Sequence, residues 1–423
     1  MEFKKYKLGE LASVDISGVD KKSKEGEKPV RLCNFTDVYK NWAITKYHYS
    51  SFMKATAKDR DIEKFSIHKG QVAITKDSET RDDIGIPTYI ADNFEDVVLG
   101  YHCALITPNE KLDGKYLNAY LNSKMAKKYF EGYASGSGQR YTLTLDSIND
   151  IQIWLPDITN QKKLAQVLSD IDQKIALNTR MNAELEAMAK QLYDYWFVQF
   201  DFPDENGNPY KSSGGEMVYN STLKREIPAG WEVENLYNLC LINRETISKN
   251  DNIETIVYLD TSNLTENRIT DFIVHSRENA PSRAQRKVMD GTLLFSTVRP
   301  SQKHYGIIHN PPKNLIVSTG FATLDTIYHK DLYRIYEFLT SDATISYLSK
   351  LADTAMSSYP SINPSDIGEL IITKPQTDLI DKYYCMVANT FLTIDKNVKE
   401  IKNLTHLRDS LLPMLMNGQI TVE

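Results

Sequence analysis

The chain has 423 residues, 41% hydrophobic and 25% charged, which at about 150 residues per domain predicts two or three globular domains rather than a peptide or a disordered tail. No run approaches about eighteen consecutive apolar residues, and Met1-Glu2-Phe3-Lys4-Lys5 leads into polar sequence, so neither a membrane span nor a secretory leader is expected. Fifty Lys and Arg against 56 Asp and Glu give a net charge of -6, which excludes holding nucleic acid by bulk positive charge, while four isolated cysteines (Cys33, Cys103, Cys240, Cys385) offer no C-x-x-C pair for zinc or disulfides and point to a reducing, cytoplasmic compartment.

Residues 1–156 mix short β-branched and aromatic runs (71–75, 97–107) with a helical stretch over 115–129, the pattern of a mixed α/β domain. After Pro156 a long helix is predicted over 157–200, with Asp157 or Thr159 as N-cap. Steps of four and three residues pick out Leu164, Leu168, Ile171, Ile175, Asn178, Asn182, Leu185, Ala189, Leu192 and Trp196, a heptad seam. Residues 201–230, rich in Pro, Gly, Asn and Ser, read as a linker. Residues 231–375 repeat the mixed pattern, with strand-like runs at 293–298 and 315–327 and helix over 332–351. A second long helix is predicted over 376–423, capped by Thr377, ended or kinked at Pro413, with Gly418 near its C-terminus.

The two halves are copies. Ile151-Gln152-Ile153-Trp154-Leu155-Pro156 matches Leu370-Ile371-Ile372-Thr373-Lys374-Pro375 at an offset of 219, and that register carries Ile175, Asn178, Leu185 and Leu192 onto Ile394, Asn397, Leu404 and Leu411. Upstream, Lys69-Gly70-Gln71 resembles Asp290-Gly291-Thr292, and Leu99-Gly100-Tyr101 resembles Thr319-Gly320-Phe321. A helix of roughly 40 residues spans about 60 Å and outruns a domain of this size, so each seam needs a partner, and the other copy's helix is nearest. The predicted architecture is mixed α/β (α+β): two globular domains alternating with two long helices that pair as an antiparallel intramolecular coiled coil, the whole an internal two-fold repeat. Asn178 and Asn397, near the middle of the seams, are the candidates to pair and fix register.

The chemistry-bearing patterns mostly dissolve. Asn310-Pro311-Pro312-Lys313 resembles an adenine-methylase motif, but its fourth position lacks the aromatic that stacks on a base, and no glycine-rich loop follows a strand; it reads as a turn. Asp157 and Asp172 with Lys174 mimic a metal-nuclease pattern, yet they fall on the heptad helix, where a solvated face is expected. The eight histidines make no metal-ligand spacing, and lone His102 and His304 read as hydrogen-bonded structural residues. A binding protein without catalysis of its own is expected.

Its ligand is suggested by local charge. Residues 276–305 carry Arg277, Arg283, Arg286, Lys287, Arg299 and Lys303 against Glu278 and Asp290, and residues 121–145 carry Lys124, Lys127, Lys128 and Arg140 against Glu131. Polar loops recur at matching places. After the Gly70 and Gly291 strands come Lys76, Ser78 and Arg81, and Arg299, Ser301, Gln302, Lys303 and Tyr305; nearer the long helices come Ser137, Gln139, Arg140 and Tyr141, and Ser357, Ser358 and Tyr359. Such side chains read base edges, while small neighbours let the backbone approach phosphate, so these residues are the candidate DNA contacts.

The strand-to-helix passage Leu155-Pro156 to Gln161, Tyr195-Trp196-Phe197-Val198 closing the first helix, and Leu407-Arg408-Asp409-Ser410-Leu411-Leu412-Pro413 with Asn417-Gly418 closing the second carry a family resemblance. The chain resembles the specificity subunit of a type I restriction-modification system over essentially its whole length; Ile380, standing where the first copy has Gln161, departs from the pattern. The resemblance implies two target recognition domains, 1–156 and 231–375, each reading one half of a bipartite asymmetric DNA site. The helices 157–200 and 376–423 then set the spacer and dock two modification (adenine N6-methyltransferase) subunits, with Trp196, Phe197 and Leu411 as partner-facing candidates. It implies no cofactor in this chain; S-adenosylmethionine, ATP and magnesium belong to the modification and restriction subunits. Two other readings stand beside it: a two-domain enzyme, which needs a cleft constellation the sequence lacks, and a coiled-coil scaffold or other two-domain DNA-binding protein outside restriction-modification. A scaffold that binds no DNA leaves the basic loops unexplained.

Overall fold

The computed structural model describes residues 2–136, 139–248, 250–354, 360–420 and 422. They form two units, Met1–Leu177 with Glu400–Glu423, and Asn178–Lys399.

In the first unit a five-stranded sheet runs in the order Ala12–Ile16, Cys103–Pro108, Val72–Thr75, Pro87–Ile90, Ala43–Ile44, antiparallel except for its last pair. Val72–Thr75 is buried throughout, which is why it reads as a continuous rather than an alternating apolar run. The run 97–107 is two strands, because the chain turns at Gly100-Tyr101-His102; Val97–Leu99 joins a second sheet in parallel beside Lys28–Cys33. The predicted helix 115–129 is likewise two, Gly114–Asn122 and Lys124–Tyr133. Ser123 ends the first and caps the second, its Oγ accepting from the Ala126 N–H at 3.3 Å.

The second unit repeats this plan. A four-stranded sheet orders Cys240–Ile242, Phe321–Thr326, Leu293–Ser296 and Tyr305–Ile307, and in a second sheet Thr255–Leu259 lies parallel to Leu315–Ser318. The helical stretch 332–351 again breaks at a serine, into Leu332–Thr340 and Asp342–Thr354 around Ser341. Gly70 and Gly291, matched by the repeat, both have positive φ (+101° and +84°), so both copies turn into the central strand through a conformation that favours glycine. The segment 201–230 differs from the expected linker: Met217–Asn220 and Arg225–Pro228 form an antiparallel hairpin, and Phe200, Phe202 and Ile227 enter the core beside Trp231. Its Pro and Gly residues shape turns of a packed element.

In each unit a strand at the start of the mixed domain pairs antiparallel with the strand that feeds the long helix, Lys4–Lys7 with Gln152–Leu155 and Glu232–Asn235 with Ile371–Lys374. One side chain on the neighbouring helix ties down each junction. The Tyr116 hydroxyl donates to the Trp154 carbonyl at 2.6 Å, and the fully buried Arg334 donates through Nη1 to the Thr373 carbonyl at 2.6 Å, its Nη2 held by Asp331 Oδ2 at 2.7 Å. Gln161 is fully buried with its amide satisfied by backbone: Nε2 donates to the Lys111 and Pro156 carbonyls, and Oε1 accepts from the Asp113 N–H. Ile380 substitutes apolar packing and is 6% exposed.

The first long helix spans Ile158–Tyr193 and the second Thr377–Met416. Asp157 is the first cap, Oδ1 accepting from the Asn160 N–H; in the second helix the expected cap Thr377 is already the first helical residue, and the Gln376 carbonyl before it accepts from the Leu379 N–H. Pro413 neither ends nor stops the second helix, which runs on to Met416; the missing N–H costs one bond in the last turn, while Leu412, Leu415 and Met416 are buried there. Gly418 follows with φ +69°. The helices are antiparallel: in the first unit Asp172 meets Arg408, and in the second Asn182 meets Asn397 and Trp196 meets Tyr383. Asn397 gives its amide to Asn182 Oδ1 at 2.8 Å, and the expected Asn178, one turn earlier on the same helix as Asn182, is likewise buried. Asp172 is not on a solvated face either: its side chain is 13% exposed and lies 3.4 Å from Arg408.

Candidate nucleic-acid interface

In the first unit the two candidate loops are drawn together by a small sheet ordered Ser135–Gly136, Tyr141–Thr142, Asp77–Ser78. Tyr141 lies opposite Ser78 and Thr142 opposite Asp77, so Lys76, Ser78, Arg81, Gln139, Arg140 and Tyr141 share one edge. Arg81, Gln139 and Arg140 are exposed. The Arg81 guanidinium sits 5.2 Å from the Tyr141 ring centroid, a cation–π contact that holds it beside the loop. Lys76 is less free than its sequence position suggested: Nζ bonds Asp77 Oδ1 and Thr142 Oγ1, each at 3.0 Å. Asp77 also meets His102, Nδ1 to Oδ2 at 2.5 Å. Burial pushes the Asp77 carboxyl upward, but bonds from Thr142, His102 and Lys76 outweigh it and hold the group below its usual range. Lys124, Lys127 and Lys128 are exposed on the helix that leads into the second loop.

In the second unit the same strand-to-loop pairing recurs. Val298 bridges Ser361, and the Arg299 N–H donates to the Pro360 carbonyl at 3.0 Å. Arg299 and Lys303, at φ +46° and +58°, bracket a turn over Pro300–Gln302 that leaves Arg299, Ser301 and Gln302 exposed. Lys303 is half-buried, 3.2 Å from Glu266. Tyr305 belongs to the core instead: it is 8% exposed on strand Tyr305–Ile307, stacked with Phe295, and burial pushes its phenol well above the usual range. Ser137, Ser357, Ser358 and Tyr359 lie outside the described residues.

The basic run 276–305 is not one surface. Arg277 donates to the Ser248 and Asp251 carbonyls, Lys287 pairs with Asp251 at 2.7 Å, and Arg286 is half-buried on a strand, leaving Arg283 and Arg299 exposed. Asn310-Pro311-Pro312-Lys313 is a turn, with Leu315 N–H donating to the Pro312 carbonyl. His304 is bonded to the Leu264 carbonyl at 2.7 Å. Among the described residues no His, Cys, Asp and Glu gather in a metal-holding group, and no helix is long and apolar enough to cross a membrane.

Of the partner-facing candidates, Trp196 and Phe197 are core residues, 3% and 4% exposed, with their rings 5.9 and 5.0 Å from Tyr383. The π-helical turn Asp194–Val198 directs them inward and leaves Tyr195 and Val198 exposed. Leu411 is half-buried against the first unit's core.

A mixed domain duplicated on paired helices, with a polar edge in each copy, is the architecture expected of a DNA-specificity chain. The comparisons say which kind. Residues 1–187 match the type I restriction modification DNA specificity domain. The type I restriction enzyme MjaIX specificity subunit of Methanocaldococcus jannaschii is 26% identical over 75% of this chain and 72% of its own length. The HindI specificity subunit of Haemophilus influenzae is 25% identical over 84% of this chain and 88% of its own. The crystal structure of the S subunit from M. genitalium superposes with a TM-score of 0.60 at 15% identity, covering 98% and 96% of the two chains, which shows the shared fold. Residues 1–187 therefore match the DNA specificity domain of type I restriction-modification systems, and the chain as a whole is similar to the specificity subunits of those systems.

Proposed function

We propose that the two units each read one half of a bipartite, asymmetric DNA site, through target recognition domains at 1–156 and 231–375. One observation carries this: in both copies the segment after the central strand is paired to the segment before the long helix, Ser78 with Tyr141 and Val298 with Ser361, so two loops converge on one edge. The side chains on the two edges differ, as an asymmetric site requires. Lys76, Ser78, Arg81, Gln139, Arg140 and Tyr141 serve the first half-site, and Arg299, Ser301, Gln302 and Lys303 the second, with Lys124, Lys127 and Lys128 as phosphate contacts.

The paired helices set the spacer and carry two modification subunits, which methylate adenine at N6; restriction subunits complete the complex. Since Trp196 and Phe197 are core, partner docking falls to their exposed neighbours. An apolar groove of ≈ 630 Å³, lined by Tyr195, Trp196, Pro203, Pro209, Cys385 and Met386 among others, supports that assignment. The test is methylation-sensitive sequencing of host DNA with the native chain and with a chain whose 135–141 loop is replaced. One half-site should change and the other persist; an unchanged bipartite motif would remove these loops from base reading.

A further inference from the structure

The sequence offered His102 as a lone histidine, yet it lies at the centre of the first unit's reading edge. It occupies the turn between strands Val97–Leu99 and Cys103–Pro108 with φ +70°, the left-handed region that residues with a Cβ enter only when their surroundings impose it. Its carbonyl accepts from the Lys76 N–H at 2.7 Å, and the Tyr101 ring lies 3.8 Å away, centroid to centroid. Backbone and ring are both fixed.

Two charged groups meet that ring. Asp77 Oδ2 stands 2.5 Å from Nδ1. An ionised carboxylate only accepts, so Nδ1 donates to it and the bond fixes the plane of the ring. Arg140 Nη2 lies 2.9 Å from Nε2 and 3.2 Å from Nδ1, so close to both nitrogens that the guanidinium rests over the face of the imidazole ring. Arg140 is itself exposed and directly precedes Tyr141, whose pairing with Ser78 anchors the base of its side chain. Asp77, His102 and Arg140 thus form a series of contacts running from a nearly buried carboxylate to a guanidinium in solvent.

The second copy lacks these contacts. Phe321 and Ala322 follow Gly320 where Tyr101 and His102 follow Gly100, and Val298 stands as far after Gly291 as Asp77 stands after Gly70. A group needed merely to build this fold would recur in both copies.

We propose that Asp77 and His102 are positioning residues that preorganise Arg140 to grip a guanine edge in the half-site read by the first unit. Arg140 has five N–H donors in one plane, and stacking on the His102 ring leaves them to meet the paired acceptors O6 and N7 of guanine. This inference rests on the reading of the loops as base readers, and its test separates the two.

The full chain, assembled with its modification subunits, is assayed for methylation of a DNA library randomised at each position of both half-sites. Arg140→Ala marks the position that Arg140 reads. His102→Leu should relax discrimination at that same position by roughly ten-fold, leaving the second half-site unchanged. His102→Phe, which keeps a flat ring, should retain most of it. Leucine and phenylalanine carry the same strain at φ +70°, so their difference reports the ring face. If His102→Leu does not fold, His102→Asn, which tolerates this backbone but falls short of Arg140, takes its place and should also relax that position. Equal effects of the leucine and phenylalanine variants, or relaxation at a position Arg140→Ala leaves alone, would overturn the proposal. Should Arg140→Ala weaken methylation uniformly on all sequences, base reading by this loop fails instead.

Discussion

Arg408 Nη1 lies 3.4 Å from Asp172 Oδ1 across the paired helices of the first unit, with both side chains largely withdrawn from water. Burial outweighs the guanidinium here: the Asp172 carboxyl is pushed up to about 6 despite its partner. Arg408 also lies over the Trp42 ring, 4.6 Å from its centroid, which ties the second helix to the domain. Arg408→Met is therefore expected to cost about 3–5 kcal/mol at pH 8, because it strands a buried carboxylate. Asp172→Leu with Arg408→Met together should recover most of that loss. Chemical denaturation of the single and double variants gives the coupling, and strictly additive losses would show that the pair is not an energetic unit.

The repeat made much of this legible. A constant offset of 219 from Ile151 to the C-terminus survives because helix seams tolerate no insertions, and the seam residues Leu164, Leu168 and Val387 are buried as a heptad demands. What stayed hidden depends on pairing between distant segments. Asp77 and Arg140 are 63 positions apart and meet through His102 only because strand Tyr141–Thr142 adds to Asp77–Ser78. Tyr305 looked like a loop residue, since nothing in 299–305 marks where the strand resumes. Trp196 and Phe197 read as a sticky helix end, and only the inward turn of Asp194–Val198 beside Tyr383 shows them as core. Gln161 and Ile380 were visible as a departure between copies, but that three backbone bonds depend on the glutamine is a fact of the fold.

Glu337 gives the second unit a pH dependence. It is 7% exposed, and burial, reinforced by Asp194 and Glu186 against Lys190, pushes its carboxyl up to about 8. A folded value above the ordinary 4.5 means that the folded state holds the proton longer than the unfolded chain does. This residue's contribution to stability is therefore best below the ordinary value, falls as pH rises through the window up to about 8, and is flat above it. Glu337→Gln stays neutral throughout. The variant should gain in Tm over the native chain between pH 5 and pH 8, at about 2–4 °C per kcal/mol. A difference that does not change with pH would mean that Glu337 is ionised in the folded unit.

Arg299 is expected to separate stability from recognition. It is exposed at φ +46°, a conformation that costs a residue with a Cβ about 1–2 kcal/mol. Arg299→Gly removes that strain and the guanidinium together. The variant should unfold no more easily than the native chain, yet lose about 1–3 kcal/mol of discrimination at one position of the second half-site. Thermal melts and methylation profiles measure the two effects independently. Uniform weakening on every DNA sequence would make Arg299 a phosphate contact.

The antiparallel pairing also fixes how a change of spacer has to be made. Asp172 with Arg408 in the first unit, and Asn182 with Asn397 and Trp196 with Tyr383 in the second, are contacts that an insertion in one helix alone would break on one side. Matched insertions of four residues, between Leu177 and Asn178 and between Lys399 and Glu400, fall at the boundary of the two units and keep every one of those pairs. Each lengthens its helix by about 6 Å and turns it about 400°, a net rotation near 40° that heptad packing can absorb. At about 3.4 Å per base pair, the methylated motif should keep both half-sites while its spacer grows by about one or two base pairs. An active variant with the original spacer would show that helix length does not set the distance, and changed half-sites would place these helices among the base readers.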